Sequence, residues 1–190
     1  ASSSDFSSQM FTIGVDYRVR QDMVTGLAFN IGQSKTKYKS DVNGELSADS
    51  YSFIIYNSFY KNNWYLDTSL TFGGDSYEQE RDPSIIANSF DAQYSSAQYS
   101  LAIATGYDFI FNAFSIAPYA QLTAGKVDVD GYTEKAKISA GPGVALNMDD
   151  QSSDIGMINV GTHFRYVFTT ANGVIIPSIT LSAINDFQNH

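Results

Sequence analysis

Eight stretches of the chain alternate bulky apolar residues with small or polar ones, and the segments between them are by turns short and long. The first runs Phe11-Thr12-Ile13-Gly14-Val15-Asp16-Tyr17-Arg18-Val19, bulky at every odd position and small, polar or charged at every even one. A strand points successive side chains to opposite faces, so this stretch carries one greasy face and one wet face. The pattern returns around Leu27 and Phe29, Phe53 and Ile55, Leu66 and Leu70, Leu101 and Ile103, Ile116 and Leu122, Ile158 and Val160, and Ile175 and Ile179. A water-soluble sandwich turns its wet face outward. A transmembrane barrel lines its lumen with that face and turns the greasy one to lipid.

The connections decide between the two. Short turns are predicted at Arg20-Gln21-Asp22, Lys61-Asn62-Asn63, Asn112-Ala113 and Ala171-Asn172-Gly173. Long polar segments run from Lys35 to Ser50, with turn residues Asp41, Asn43 and Gly44, from Gly74 to Ser96, and from Val127 to Asp154. The last has room for an extra hairpin around Gly141 to Asn147. Short turns on one edge and long loops on the other are the habit of outer-membrane barrels, with the short turns periplasmic. Tyr17, Phe59, Trp64, Tyr107, Phe109, Tyr166 and Phe168 all fall within a few residues of the short turns, as an aromatic girdle at the headgroup level would. Fourteen of the twenty acidic residues fall in the long segments and read as a solvated face. Asp128-Val129-Asp130-Gly131 lacks the remaining ligand positions of a calcium loop and reads as an acidic turn.

Composition narrows the function classes. The 190 residues fit one domain, 1–190. With no cysteine there is no disulfide framework and no thiolate chemistry, and two histidines, His163 and His190, leave little for a metal site or a triad. A net charge of -9 argues against nucleic acid. No apolar run approaches the roughly 20 residues of a membrane helix, which leaves a barrel untouched as a possibility. No cofactor and no metal are expected. Ala1 to Ser8 reads as a linker or frayed end, and no charged n-region or apolar h-region opens the chain, so any secretory signal is expected to have been removed or to lie upstream.

The alternation assigns Phe11, Ile13, Val15, Leu27, Phe29, Leu101 and Ile103 to lipid, and Asp16, Arg18, Asp67, Asp108, His163 and Arg165 to the lumen. Charges of both signs on a polar interior pair across strands and hydrate a channel. An enzymatic use of the carboxylates with His163 needs convergence within hydrogen-bond reach, which spacing does not supply. The lumen set is therefore read as structural and the chain as no enzyme. Pro118 and Pro177 fall inside predicted strands, which requires a rim, a bulge or an interrupted ladder at each.

Short periplasmic turns put both ends of these eight strands on the long-loop side, opposite to the usual placement of bacterial single-chain barrels. The expectation is a fragment, with strands missing before Phe6 and after Phe187, and no ladder between residues 11–19 and 174–184. The motifs then resemble the translocator β-domain of bacterial autotransporters. Gly14-Val15-Asp16-Tyr17-Arg18 followed by Gly26-Leu27-Ala28-Phe29 is similar to its start, with Ser50-Tyr51-Ser52 and Asn63-Trp64-Tyr65-Leu66-Asp67 next. Gly106-Tyr107-Asp108-Phe109, Ala117-Pro118-Tyr119-Ala120 and Asp128-Val129-Asp130-Gly131-Tyr132-Thr133-Glu134 resemble its middle. Ala145-Leu146-Asn147-Met148-Asp149-Asp150-Gln151 and Ile176-Pro177-Ser178-Ile179 continue in order. Asp186-Phe187-Gln188-Asn189-His190 departs from the family's terminal aromatic.

The resemblance implies an all-β, antiparallel up-and-down transmembrane barrel, with about eight strands of a twelve-stranded whole present. It implies export and anchoring of an N-terminal passenger domain in the bacterial outer membrane, long loops extracellular. Expected partners are the passenger, outer-membrane lipid and lipopolysaccharide, and the barrel-assembly machinery. Two alternatives stand beside it. One is a passenger-free outer-membrane barrel acting as pore, adhesin or receptor; the other is a soluble lipocalin-like module.

Overall fold

The alternation becomes pairing. The computed structural model describes residues 3–39, 42–83, 89–137, 145–171 and 173–187. Five long strands open the chain: β1 (Ser3–Arg20), β2 (Met23–Lys39), β3 (Val42–Lys61), β4 (Trp64–Pro83) and β5 (Phe90–Tyr107). After a break at Asp108 come β6 (Phe109–Phe111) and β7 (Phe114–Val129). Three short pieces follow, β8 (Tyr132–Thr133), β9 (Lys135–Ala136) and β10 (Asn147–Met148), and then β11 (Gln151–Tyr166). The chain ends with β12 (Phe168–Thr170), β13 (Gly173–Ile175) and β14 (Ser178–Asp186). All pairings are antiparallel, and the main sheet runs β1-β2-β3-β4-β5-β7-β11-β14. Among the described residues β1 pairs only with β2 and β14 only with β11, so the sheet is open and no ladder joins residues 11–19 to 174–184.

The register stacks like with like. Val15, Leu27, Ile55, Leu70 and Leu101 form one row across five strands, and Ile13, Phe29, Phe53, Phe72 and Tyr99 form the next. These side chains are exposed, Leu101 by 41% and Ile103 by 38%. The buried apolar residues among those described are only Ala48, Phe90, Ala92 and Ala117. Among the described residues there is no closed apolar core for a soluble module to rest on, because the large apolar residues are exposed.

The long polar segments are strand rather than loop. β2 continues to Lys39 and β3 begins at Val42, so Asn43 and Gly44 lie inside β3; Asp41 falls outside the described residues. The β4–β5 ladder runs up to Arg81 opposite Phe90. The third segment is also a continued hairpin, Tyr132–Thr133 pairing with Asn147–Met148; residues 141–144 of the expected extra hairpin fall outside the described residues. Cross-strand polar pairs hold these extensions, such as Gln33 Nε2 to Asp49 Oδ1 at 2.8 Å and the Lys35–Glu45 ion pair. A 20-residue strand such as β3 reaches roughly 66 Å, against the 9–11 residues needed to cross a bilayer.

The short turns at residues 20–22, 61–63 and 112–113 are where they were expected; Asn172 of the fourth falls outside the described residues. Asn62 (φ 56°) and Asn112 (φ 53°) take the left-handed conformation that Asn tolerates at a hairpin tip. Both prolines sit at interrupted ladders. Regular β5–β7 pairing stops at Tyr119, next to Pro118, and resumes at Ile116 with β6. Pro177 lies between β13 and β14.

On the polar face, tyrosines cover glycines of neighbouring strands: Tyr56 over Gly26, Tyr65 over Gly106 and Tyr119 over Gly161. A Cβ at Gly161 would come 2.6 Å from the Leu181 carbonyl and 2.8 Å from the Tyr119 ring. Gly161→Val has the better strand propensity, yet it should lower stability by about 1–3 kcal/mol because the ring and backbone must move apart. The midpoint of urea unfolding in detergent, followed by heat-dependent gel migration, measures this; an unchanged or raised midpoint contradicts it.

Candidate functional site

The chemistry-bearing side chains collect on the polar face in two clusters, one near each edge of the sheet. Toward the short turns, Asp16, Arg18, Asp67, Asp108, His163 and Arg165 all share the face of the covering tyrosines, as strand parity requires. Arg165 Nη2 donates to Asp108 Oδ1 at 2.5 Å, an ion pair between residues 57 positions apart. The small, buried Ala117 lies between their strands and leaves the arginine room to reach across. His163 stacks on Tyr119 with centroids 4.6 Å apart, and its Nδ1 is 2.8 Å from Thr180 Oγ1. Tyr56 donates its hydroxyl to Asp16 Oδ2 at 3.4 Å. Asp67 joins neither pair, and Arg18 stands on the edge strand β1. The structure thus brings together Asp108, Arg165 and His163, with Asp67 on the same hollow, and leaves Asp16 and Arg18 apart.

The aromatic residues predicted as a girdle gather on the opposite, apolar face along the short-turn edge. Trp64 meets Tyr107 edge-on at 5.2 Å, Tyr107 meets Phe109 at 4.6 Å, and Tyr166 meets Phe168 at 4.4 Å. Tyr17 is 72% exposed on β1, and Phe59 lies on β3 opposite Met23 and Leu66.

The second cluster ties the long hairpins together and is absent from the sequence expectations, which read the acidic residues of the long segments, Glu134 among them, as a solvated face. Arg81 lies 4.9 Å over the Phe90 ring and donates through Nε and Nη2 to Glu134, at 2.9 and 2.5 Å. The Leu146 N–H donates to the same carboxylate at 2.9 Å. Glu134 and Phe90 are buried. One turn of pleat below, Tyr77, Tyr94 and Tyr132 stack across three strands, with centroids 4.9 and 4.4 Å apart. The 53 positions between Arg81 and Glu134 hid the pair. Extending the pleat of β7 would have put Glu134 on the face opposite Arg81; the break at Asp130–Gly131 shifts the parity by one residue and brings the two together.

Neither cluster is a metal centre: among the described residues no group of three or more His, Asp or Glu could hold an ion. Among the described residues no helix is long and apolar enough to cross a membrane, which says nothing of a β-barrel.

Burial acts to raise the Glu134 pKa, but the Arg81 guanidinium and the Leu146 amide outweigh it and hold the carboxyl below its ordinary value. A lowered folded pKa means that this carboxylate's stabilising contribution is complete above the unfolded value, about 4.3. It is lost as the pH falls through the folded one. Amide protection at residues 130–137 and at Leu146, with exchange normalised to the unstructured rate at each pH, should therefore fall below about pH 4. Glu134→Gln should exchange fast already at neutral pH and lose most of that pH dependence. Equal protection of the two proteins at pH 7 contradicts the clasp.

With this geometry in hand, comparison with known proteins gives a consistent answer. A family described as the autotransporter beta-domain matches residues 1–190. The translocator domain of autotransporter NalP from Neisseria meningitidis superposes with a TM-score of 0.83 at 11% identity, covering 98% of this chain and 63% of that one. The β-domain of the Bordetella autotransporter BrkA gives 0.67 at 16% identity, covering 97% and 72%. The chain thus spans 63% of the length of the NalP domain. No curated protein sequence matches it. The fold is that of an outer-membrane β-barrel wall, and the chain belongs to the autotransporter β-domain family.

Proposed function

We propose that this chain forms part of the wall of a translocator barrel that anchors an N-terminal passenger domain in the bacterial outer membrane and exports it. The observation that carries this is the family match along the whole chain, joined to a sheet whose large apolar residues are outside and whose charges share the other face. In this reading the apolar face meets lipid and the polar face lines the lumen. Phe11, Ile13, Val15, Leu27, Phe29, Leu101 and Ile103 take the lipid side, and Asp16, Arg18, Asp67, Asp108, His163 and Arg165 the lumen. The short turns with their aromatic girdle lie at the periplasmic interface. The long polar hairpins project outward, where lipopolysaccharide surrounds them.

The charged groups serve as wall and not as catalyst: Arg165 neutralises Asp108, and His163 is occupied by Tyr119 and Thr180. A chain of this kind needs the barrel-assembly machinery to enter the membrane, since its strands bury their backbone groups only by pairing.

The test is surface display by the full-length protein. Cells expressing it should expose the N-terminal region to external protease, and the detergent-extracted barrel should migrate faster in gels before heating. An N-terminal region that stays protected in intact cells, with the barrel folded, favours the passenger-free pore instead. Lipid contact is tested separately. Leu101→Arg, near the middle of the apolar band, should cost about 2–4 kcal/mol of folding free energy in bilayers, and Ala102→Arg on the other face clearly less. Equal costs at the two neighbouring positions contradict the assignment of faces.

A further inference from the structure

The row through Ile13, Phe29, Phe53, Phe72 and Tyr99 on the apolar face does not stay apolar: it continues into Lys126 on β7 and Asp154 on β11. The next row toward the short turns, through Leu70 and Leu101, continues into Ala124 and Gly156. Bulk falls away there and returns one row further on, with Ile103, Leu122 and Ile158. The result is a hollow of about 280 Å³ on the apolar face. Leu70, Phe72 and Leu101 wall it, Ala124 lies at its floor, and Lys126 and Asp154 stand at its rim.

The apolar side of β7 runs from Phe114 to Ala124, about 11 residues, the length with which a strand crosses the hydrocarbon of a bilayer. Lys126 is the next residue on that side, so its ammonium stands at the level of the headgroups. Its Nζ donates to Asp128 Oδ1 at 2.8 Å, two residues along the same strand, and not to Asp154 directly across the ladder. An ammonium carries three N–H donors, so two remain. Asp154 accepts no hydrogen bond and closes no ion pair among the described residues.

The rim thus offers donors on one residue and acceptors on its neighbour, above an apolar hollow. Two carboxylates to one ammonium leave it net negative, which disfavours a purely anionic headgroup. A headgroup holding both a phosphate and a primary ammonium meets both halves: the phosphate accepts from Lys126 and the ammonium donates to Asp154. A quaternary ammonium has the charge but no N–H to give.

We propose that this hollow binds a lipid with a phosphoethanolamine headgroup, one acyl chain lying against Leu70, Leu101 and Ala124. The site rests on the reading of the apolar face as lipid-facing.

Native mass spectrometry of the detergent-extracted full-length protein tests this. Phosphatidylethanolamine, phosphatidylcholine and phosphatidylglycerol of identical acyl chains are offered in equal amounts. Each protein is first shown to migrate as a folded, heat-modifiable barrel. The wild type retains phosphatidylethanolamine about tenfold over the other two, a ratio that one charge-assisted hydrogen bond supplies. Asp154→Asn brings the ethanolamine lipid down to the level of the choline lipid, because a neutral amide no longer holds the ammonium. Lys126→Gln lowers its retention through the phosphate. Ala124→Leu fills the hollow and lowers its retention with both rim charges in place. Three results overturn the site and leave the barrel standing: equal retention of the three lipids by the folded wild type, a preference for the glycerol lipid, or an unchanged preference in folded Asp154→Asn and Lys126→Gln. A wild-type protein that forms no heat-modifiable species overturns the reading of the faces, and the site with it.

Discussion

Backbone hydrogen bonding governs everything else in this structure. A strand surrounded by lipid has no water to satisfy its N–H and C=O groups, and each unsatisfied group costs several kcal/mol, so pairing through the apolar band has to be unbroken. The ladders obey this. From β1 to β5 the register runs without a shift through the rows of Ile13 and Val15, and β7 with β11 runs unbroken from Val129 to Phe114. Toward the long hairpins the strand breaks at Asp130–Gly131 and at Glu134; at the short-turn edge come the shift between Arg18 and Arg20, the break at Asp108 and the break at Val167. There, isolated bonds repair the ladder, as from the Asp108 N–H to the Asn63 carbonyl at 2.9 Å and from Val167 to Ala113 at 2.8 Å. Because side chains alternate with period two, a fixed register also fixes the faces. A slip of one residue would turn Asp16 to the apolar side and Val15 to the polar one.

The same period explains what was legible in the sequence. Where one face is apolar, as in Phe11 to Val19 or Tyr99 to Ile103, alternation announces a strand. Where both faces are polar, as in Lys35 to Lys39 or Glu78 to Pro83, a strand looks like a loop because composition no longer alternates. The hairpins continue regardless, held by cross-strand pairs such as Gln93 to Glu78 at 3.1 Å. The members of the charged set were readable one at a time, since parity alone puts Asp108 and Arg165 on one face. Their pairing was not, because it depends on the order of β5, β7 and β11 and on a small residue, Ala117, between them. The Arg81–Glu134 clasp was hidden twice over, by sequence distance and by an acidic neighbourhood that imitates solvated surface.

Charge on the polar face is unevenly spread. Ionic and aromatic groups sit toward the two edges: Asp108, Arg165 and His163 at one, Arg81, Glu134 and the three stacked tyrosines at the other. The rows between are small and uncharged. Asn30, Ser52, Gly73 and Gln98 make one, and Ala28, Ile54, Thr71, Ser100 and Gly125 make another. Short hydroxyls, amides and exposed backbone hydrate easily and present no strong fixed charge. Near the short turns the covering tyrosines fill the space above Gly26, Gly106 and Gly161 with rings packed on the sheet.

The upper clasp bears on the hairpins themselves. Polar on both faces, they gain little from burial, and an isolated two-stranded ribbon is marginal in water. Joining β4, β5 and β8 through three stacked rings, and spanning β4 to Glu134 with a buried ion pair over Phe90, turns separate ribbons into one sheet. A buried ion pair adds little stability when compared with apolar residues of the same size, but it fixes geometry, since either charge left alone is costly. Here it locks the register of the extensions, continuing past the apolar band the order that the ladders keep within it.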